Sequence, residues 1–452
     1  MARHELEELV DGEVLAPGAT GYDAARKVWN ARFDRRPDVA VRCTSAADVA
    51  ATVRWARAND EQLSVKGGGH SYAGHTVADG GVLLDLSGMS GIKVHAEDRL
   101  ARVEAGATWA QIDSATQHHG LATTGPTASS VGVAGSVLGG GTGWLSRCFG
   151  NAVDNLVAVD VVTADGEQVR VSADEERELF WGMRGAGANL GIATSFELRL
   201  HEVGPQVLAG QIVYPFDDAE GVLRAYRSFM ADAPDDLQCL AFTFRAPPIE
   251  PFPERCHGQP VLDLIVFHLD PGADDVVAPL QELGEPLLDA VGPMTYVDAQ
   301  QAFDPNLPAG QRYYSQAHDV AELSGAAIDD FAAHVRTMRG ALTAAYLEPK
   351  GGAVARVPGA STALGGRGAA ASFHIIAGWT DQAEDDDVMA WAHGFNDAMA
   401  VHGTGGVYVN LIAEDEDDRV LSAFSDSTRV QALKARWDPQ NHLRANHNVL
   451  SA

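Results

Sequence analysis

The sequence predicts an α+β protein of two or three units, and three observations carry that expectation. Helical and strand-like patterns alternate through the first 200 or so residues at the spacing of a compact α/β or α+β unit. From about residue 206 strand-like runs are separated by helix-like pieces, the content of an antiparallel sheet backed by helices. The chain length, 452 residues, suggests more than one unit.

Residues 48–59 space Val49, Val53, Trp55 and Ala56 along one helical face, and residues 62–66 then read as a short strand. Strand patterns follow at 82–86 and 101–104, and a helical pattern at 109–118. Residues 160–163 and 167–171 are strands joined by the tight turn Ala164-Asp165-Gly166. Alternation over 192–200 gives a further strand. Beyond 206, strands are expected at 207–214, 238–244 and 261–267, and helices at 219–230, 326–338 and 389–399. The Pro-rich stretch 245–256 reads as a surface loop. The last helix stops around Asp438-Pro439, because proline cannot continue the hydrogen-bond ladder.

Acidic residues total 62 against 33 basic ones, a formal charge of −29, with only Lys27, Lys66, Lys93, Lys350 and Lys434 as lysines. Such a field repels phosphate backbones and argues against nucleic acid as a partner. It fits an enzyme kept soluble in a salt-rich cytoplasm, or equally an acidic protein from an arginine-biased genome. No stretch reaches the length of apolar chain that a membrane span needs. The charged start MARHELEELVDGE has no apolar core of the kind a secretory signal carries. Cys43, Cys148, Cys239 and Cys256 are far apart and show no metal-ligand spacing. A cytoplasmic protein without disulfides or metal is the expectation.

Three glycine-lined segments carry the chemistry. In SVKGGGHSYAGHT (64–76), Gly67, Gly68 and Gly69 let backbone press against a flat or charged ligand, and His70 then brings an imidazole to it. The run GPTASSVGVAGSVLGGGTG (125–143) is neither a GxGxxG nor a GxxxxGK motif, yet it offers many N–H groups and little bulk, enough to cradle a pyrophosphate. Gly185, Gly187 and Gly191 make a third approach. Together they point to a long, flat, multiply charged cofactor.

The blocks VKGGGHSYAGHT, GPTASSVGVAGSVLGGGTGWLSRCFGNAVDNLVAVDVVTADGE, LFWGMRGAGANLGIATSFEL, YVNL and ARWDPQNHLRANHNVL occur in an order that resembles the berberine-bridge-type FAD-linked oxidases, within the vanillyl-alcohol-oxidase-like (PCMH-type) flavoproteins. The resemblance covers most of 40–200 and the final segment. It implies an FAD-binding unit over 1–205 (core about 38–202), a substrate unit over 206–400, and a segment 401–452 that returns to the FAD unit. It places Lys66, Gly67, Gly68, Gly69, His70, Ser71, Gly74 and His75 at the cofactor. From the second block it adds Pro126, Thr127, Ser130, Val131, Gly132, Gly135, Gly140, Gly141, Gly143, Trp144, Asn151 and Asp154, followed by Gly191 and Ile192. Tyr408, Asn410, Asn446 and Asn448 complete the set from the tail.

The resemblance further implies that His70 bonds the flavin 8α-methyl, a tether that makes the flavin a stronger acceptor. Many relatives add a cysteine link at the position of Ala128, so one bond rather than two is expected, and Cys148 replaces a basic residue of the relatives' RKYG run. Val131 stands where a small side chain leaves room for dioxygen. Tyr408, sharing a strand face with Asn410, is expected to act as base, although a phenol needs a stabilising neighbour to ionise near neutrality. Arg312, Tyr313, Tyr314, Phe373 and His374 are candidates for a substrate pocket, whose shape is altered where Gly365-Gly366-Arg367 replaces an aromatic-Pro-His-Arg run. Trp437 replaces a tyrosine. The implied reaction is oxidation of an alcohol or sugar-like hydroxyl by hydride transfer to FAD, with dioxygen returning as hydrogen peroxide. Amine or C–H oxidation is a further subclass. A flavin dehydrogenase with a quinone or protein acceptor and a non-enzymatic flavin-binding protein are the alternatives.

Overall fold

The computed structural model describes residues 2–450. Met1, Ser451 and Ala452, the outermost residues of the expected terminal segments, lie outside the described residues.

Two sheets form from the first 200 residues. In the first, Val39–Arg42, Val82–Asp85 and Leu63–Lys66 run parallel, and Glu13–Leu15 adds an antiparallel edge. Parallel strands need a crossover, and the helix Ala46–Ala58 supplies it between Val39–Arg42 and Leu63–Lys66, which flank Val82–Asp85. Ser45 caps that helix by accepting from the Asp48 N–H at 3.2 Å, and Asp48 and Arg57 sit at the ends that suit their charges. The second sheet is antiparallel, in the order Ile92–His95, Leu100–Glu104, Ile192–Arg199, Leu156–Val162, Gln168–Ser172. One apolar core joins both sheets.

The third sheet has eight strands, all antiparallel, drawn from residues 206–379. Its central order is Gln206–Pro215, Pro260–His268, Leu237–Arg245, Ala344–Pro349, Ala371–Trp379, Arg312–Val320. Period-two alternation divides its residues between two faces. Ala345, Leu347, Phe373, Ile375 and Trp379 pack against the helices Ala219–Asp232, Gly325–Arg336 and Asp385–Ala400. The opposite face presents Leu240, Tyr346, Glu348, His374 and Ile376 to the large cavity.

The chain after residue 400 returns to the first core, which contains Val409, Leu411, Val430, Leu433, Leu443 and Val449. Residues 408–410 are not a strand: Tyr408 caps a 3₁₀ turn, Val409–Leu411. The final helix is Ser427–Trp437. Asp438 ends it by accepting from the His442 and Leu443 N–H groups at 2.8 Å each. No helix among the described residues is long and apolar enough to cross a membrane.

Candidate functional site

A cavity of about 360 Å³ lies between the first core and the bare face of the eight-stranded sheet. Its floor is made by two glycine runs that cross. A Cβ on Gly68 would collide with the Gly132 backbone, and one on Gly132 with Gly68, so neither position admits another residue at this separation. Gly69 has a φ of 73°, which favours glycine and turns the chain into His70.

His70 is held from two sides. Its ring stacks on Trp29 at 4.9 Å and 20°, and Trp29 in turn stacks on Tyr313 at 3.9 Å. Its Nε2 lies 3.1 Å from the Ser130 hydroxyl. Burial pushes the imidazole pKa down to about 4, so the ring is neutral near neutral pH. A fixed, neutral imidazole has a free nitrogen lone pair and is a competent nucleophile or hydrogen-bond acceptor, and an imidazolium is neither.

Tyr408 and Asn410 reach the cavity from the returning segment. The Tyr408 hydroxyl oxygen accepts from the Gly141 N–H and from Asn410 Nδ2, both at 3.0 Å. Asn410 Nδ2 also donates to the Gly135 carbonyl at 3.2 Å. A Cβ on Gly139 would run into the Asn410 side chain, which explains part of the second glycine block. Burial raises the Tyr408 pKa above its ordinary value; the two donated bonds oppose this and the Glu348 charge adds to it. The group is a neutral phenol.

The sequence did not single out Glu348. It projects from Ala344–Pro349 on the same face as Tyr346, opposite His374 on the neighbouring strand. His374 stacks on Tyr346 at 4.4 Å, and its Nε2 stands 3.2 Å from Glu348 Oε2 without the alignment of a full hydrogen bond. The other carboxylate oxygen accepts from the Thr142 hydroxyl. Burial pushes the Glu348 pKa up, but His374, Thr142 and the Lys350 charge more than offset it and hold the carboxyl below its usual range. A buried, ionised carboxylate therefore faces the cavity.

The third glycine segment and the tail close the far end. Asn189 donates to the His447 carbonyl at 2.9 Å and accepts from the Val449 N–H at 3.1 Å, while Asn446 donates to the Ala188 carbonyl at 2.8 Å. His75 and His447 meet edge to face at 4.6 Å, and burial lowers their pKa values to about 4 and about 3. His75 Nε2, His447 Nδ1 and Asn446 Oδ1 are buried without protein partners, although all three residues line the cavity. Buried polar atoms of that kind call for a polar ligand. Glycine floor, apolar walls and unpartnered polar atoms at one end together fit FAD.

Of the residues expected at the cofactor, Gly67, Gly68, Gly69, His70, Ser71, His75, Pro126, Thr127, Val131, Gly132, Gly135, Gly191, Ile192, Tyr408, Asn410 and Asn446 line this one cavity. Ser130 reaches it through His70, and Gly141 and Gly140 support Tyr408. The others have different work. Lys66 points away, donating to the Ala25 carbonyl and standing 3.6 Å from Asp85. Gly74 makes room for the Phe33 ring, and Gly143 for the Gly125 carbonyl. Trp144 is core, against Phe267 and Phe303. Asp154 is bound by Arg367 at 2.6 and 2.9 Å, Asn151 starts the 3₁₀ turn that holds Asp154, and Asn448 accepts from the Leu450 N–H.

Of the five substrate-pocket candidates, His374 lines the cavity and the other four do not: Tyr313 lies behind Trp29 with its hydroxyl donating to the Pro308 carbonyl. Arg312 pairs with Asp385, Tyr314 bonds Asp415, and Phe373 is buried on the helix side of the sheet. All four cysteines are free, with the Cys148 thiol bonded to the Asp235 carbonyl. No cluster among the described residues has the makings of a metal site.

Comparison with known proteins agrees with this geometry. Residues 37–172 match the family model described as FAD binding domain, and residues 407–450 match that described as berberine and berberine like. Over 205 residues the chain is 38% identical to (R)-6-hydroxynicotine oxidase of Paenarthrobacter nicotinovorans, an alignment covering 45% of each protein. It is 26% identical to an FAD-linked oxidoreductase of Bacillus subtilis over 97% of this chain and 96% of that one. The crystal structure of 6-hydroxy-D-nicotine oxidase from Arthrobacter nicotinovorans superposes with a TM-score of 0.86 at 27% identity, covering 98% of both chains. Xylooligosaccharide oxidase from Myceliophthora thermophila shares the fold, with a TM-score of 0.89 at 21% identity over 100% of both chains.

Proposed function

This chain belongs to the berberine-bridge-like FAD-linked oxidoreductases, and on that footing we propose that it is an oxidase of a small, uncharged or cationic organic substrate. Residues 1–205 and 401–452 would hold FAD, and 206–400 would supply the substrate wall. The observation that carries this reading is the pairing, across one cavity, of an ionised carboxylate with a neutral phenol. Bound FAD would supply a two-electron acceptor for the hydride.

Glu348 takes the proton of the substrate hydroxyl or amine, being the cavity's one ionised acceptor among the described residues. Tyr408 serves as donor rather than base. Its oxygen already accepts two hydrogen bonds, so its own O–H is left to point at a substrate heteroatom. Tyr346, Ile376 and Leu240 exclude water from the same space, and holding the donor carbon in place supplies much of the rate. Among the described residues no lysine or arginine lines the cavity, which disfavours an anionic substrate.

His70 is the residue for a covalent tether, because it is neutral and its ring is fixed by Trp29 and Ser130. Ala128 lines the cavity without a sulfur, so the tether is single. Val131, also in the wall, leaves space for dioxygen.

Acid precipitation of purified protein, followed by flavin fluorescence of the pellet, tests the tether: flavin is expected on one peptide containing His70. Anaerobic mixing with (R)-6-hydroxynicotine and with xylobiose, followed by aeration and a peroxide assay, tests the activity. Flavin that bleaches but reoxidises slowly in air would replace the oxidase with a dehydrogenase using another acceptor. Well-folded protein that takes up no FAD would end the reading.

A further inference from the structure

Behind Glu348 the site does not end in packed side chains. A second, smaller chamber of about 30 Å³ begins there and shares Thr142, Glu348, His374 and Tyr408 with the main cavity. On its far side it shares Leu364, Gly365, Gly366 and Arg367 with a broad surface recess beside Trp181 and Arg429. Three spaces thus lie in series from the site to the outside, each separated from the next by one layer of residues.

The walls of the middle space suit water. Arg367 Nε and both ring nitrogens of His374 are buried with no aligned hydrogen-bond partner among the described residues, and both residues line it together with Asn151. One water needs roughly 10–15 Å³ and two or more polar partners, so there is room for one or two. At the outer end Asp319 accepts from Lys350 and from the Ser372 hydroxyl at 2.7 Å, and Lys350 is 18% exposed. Neither Gly365 nor Gly366 has a side chain to close the mouth. At Gly366 none is possible, because its φ is 70° and a Cβ would meet the Asp319 carboxylate.

We propose that this chamber is a solvated rear exit, through which the proton accepted by Glu348 reaches the surface while the substrate covers the front of the cavity. The inference rests on Glu348 being the proton acceptor. The substrate O–H or N–H bond breaks as an O–H bond forms on Glu348, and the hydride leaves with its electron pair to FAD. The Glu348 proton then passes to chamber water or to His374, and a proton leaves at the Lys350–Gly366 mouth. Glu348 returns to the carboxylate, and the same path returns a proton when dioxygen takes up the two electrons and leaves as hydrogen peroxide.

Val354 tests this. It is an apolar wall of the chamber, buried, and outside the main cavity. Crystals of the FAD-loaded protein should show ordered water bonded to Asn151 or His374, and Val354→Phe should expel it. Val354→Leu is the milder plug if the phenylalanine variant does not fold. With whichever of (R)-6-hydroxynicotine or xylobiose bleaches the flavin, the plugged protein should bleach at least tenfold more slowly. Its solvent deuterium isotope effect should rise, with half-saturation by the donor unchanged. A dry chamber around bound FAD, or unaltered bleaching with the phenyl ring in place, overturns the exit and leaves the oxidase reading standing. A crystal that holds no FAD after incubation with it overturns that reading instead.

Discussion

Replacing Lys434 by methionine would strand a buried carboxylate and loosen the arm that closes the cavity. Lys434 and Asp438 are both fully buried, 2.7 Å apart, one helical turn from each other. Lys434 also donates to the Leu443 carbonyl at 2.8 Å, and Asp438 accepts from the His442 and Leu443 N–H groups. The pair thus folds residues 438–443 back and sets the direction in which Asn446 and His447 leave for the cavity. Methionine fills the lysine's space, so the loss is electrostatic, and breaking a buried pair on one side costs about 3–5 kcal/mol. Expressed in local opening of the arm, that is a factor of roughly 10²–10⁴ in the opening equilibrium. Hydrogen exchange at the Leu443 and Val449 amides should accelerate accordingly, and FAD affinity of the unlinked form should fall with it. The double variant Lys434→Met with Asp438→Asn should recover more than half of the loss, since no charge is left unpaired. Exchange accelerated less than tenfold in Lys434→Met, or a double variant no better than the single one, would refute the electrostatic argument.

Three further outcomes are expected. Glu348→Gln keeps the Thr142 bond but cannot take a proton, and should slow anaerobic bleaching by roughly 10²–10⁴-fold, the range for loss of a general base; Tyr408→Phe should cost less, and the reverse order would make the phenol the base. Ala128→Cys should let a second flavin bond form, visible as flavin still on the protein after His70→Ala, which alone should release all flavin on acid precipitation. Burial lowers the pKa values of His70, His75 and His201 to about 4 and of His447 to about 3, against about 6.5 in the unfolded chain. Each therefore contributes stability that is fully present above pH 6.5 and is lost as pH falls toward 4, because the unfolded state takes up the proton first. Thermal melts from pH 7 to 4.5 should fall steadily, and His447→Asn should flatten that slope.

The first unit was legible because its local signals agree with its tertiary fate. The apolar face Val49–Val53–Trp55–Ala56 is the face that packs into the core, and the strands at 62–66 and 82–86 pair side by side. The eight-stranded sheet was half legible. Its strands near 207, 238 and 261 were expected, but Arg312–Val320, Ala344–Pro349 and Ala371–Trp379 were not. Every residue of Ala371–Trp379 is buried, and Ile376 and Gly378 interrupt the alternation that Ser372 and His374 begin, so period two is faint. The expected strand at Tyr408-Val409-Asn410 failed for the opposite reason: three residues satisfy almost any period, and a 3₁₀ turn brings Tyr408 and Asn410 together as well as alternation would.

The site divides along the same line. Glycine announces itself, since close backbone approach excludes every other residue, and the floor of the cavity could be read from Gly68 and Gly132 alone. Lys66, Trp144 and Asp154, which the resemblance places at the cofactor, sit beside those glycines in sequence but turn elsewhere in the fold, to Ala25 and Asp85, into the core, and to Arg367. Glu348 shows the converse. Nothing within AAYLEP marks its carboxylate as more than another acid in a chain carrying 62 of them. Its character comes from His374 on the next strand and Thr142 from the glycine block, both distant in sequence, with the Lys350 charge two residues on adding to them. A charge whose ionisation depends on such neighbours is a property of the sheet register. If that register slipped by one residue, Leu347 would face the cavity and Glu348 the helices, and a buried carboxylate would lie in the apolar layer with Phe373 and Phe331. The Glu348 carboxylate therefore fixes the register of its own strand: misplacing it costs the desolvation of an unpaired charge, so the geometry that keeps it ionised at the cavity is also the one in which the strand is stable.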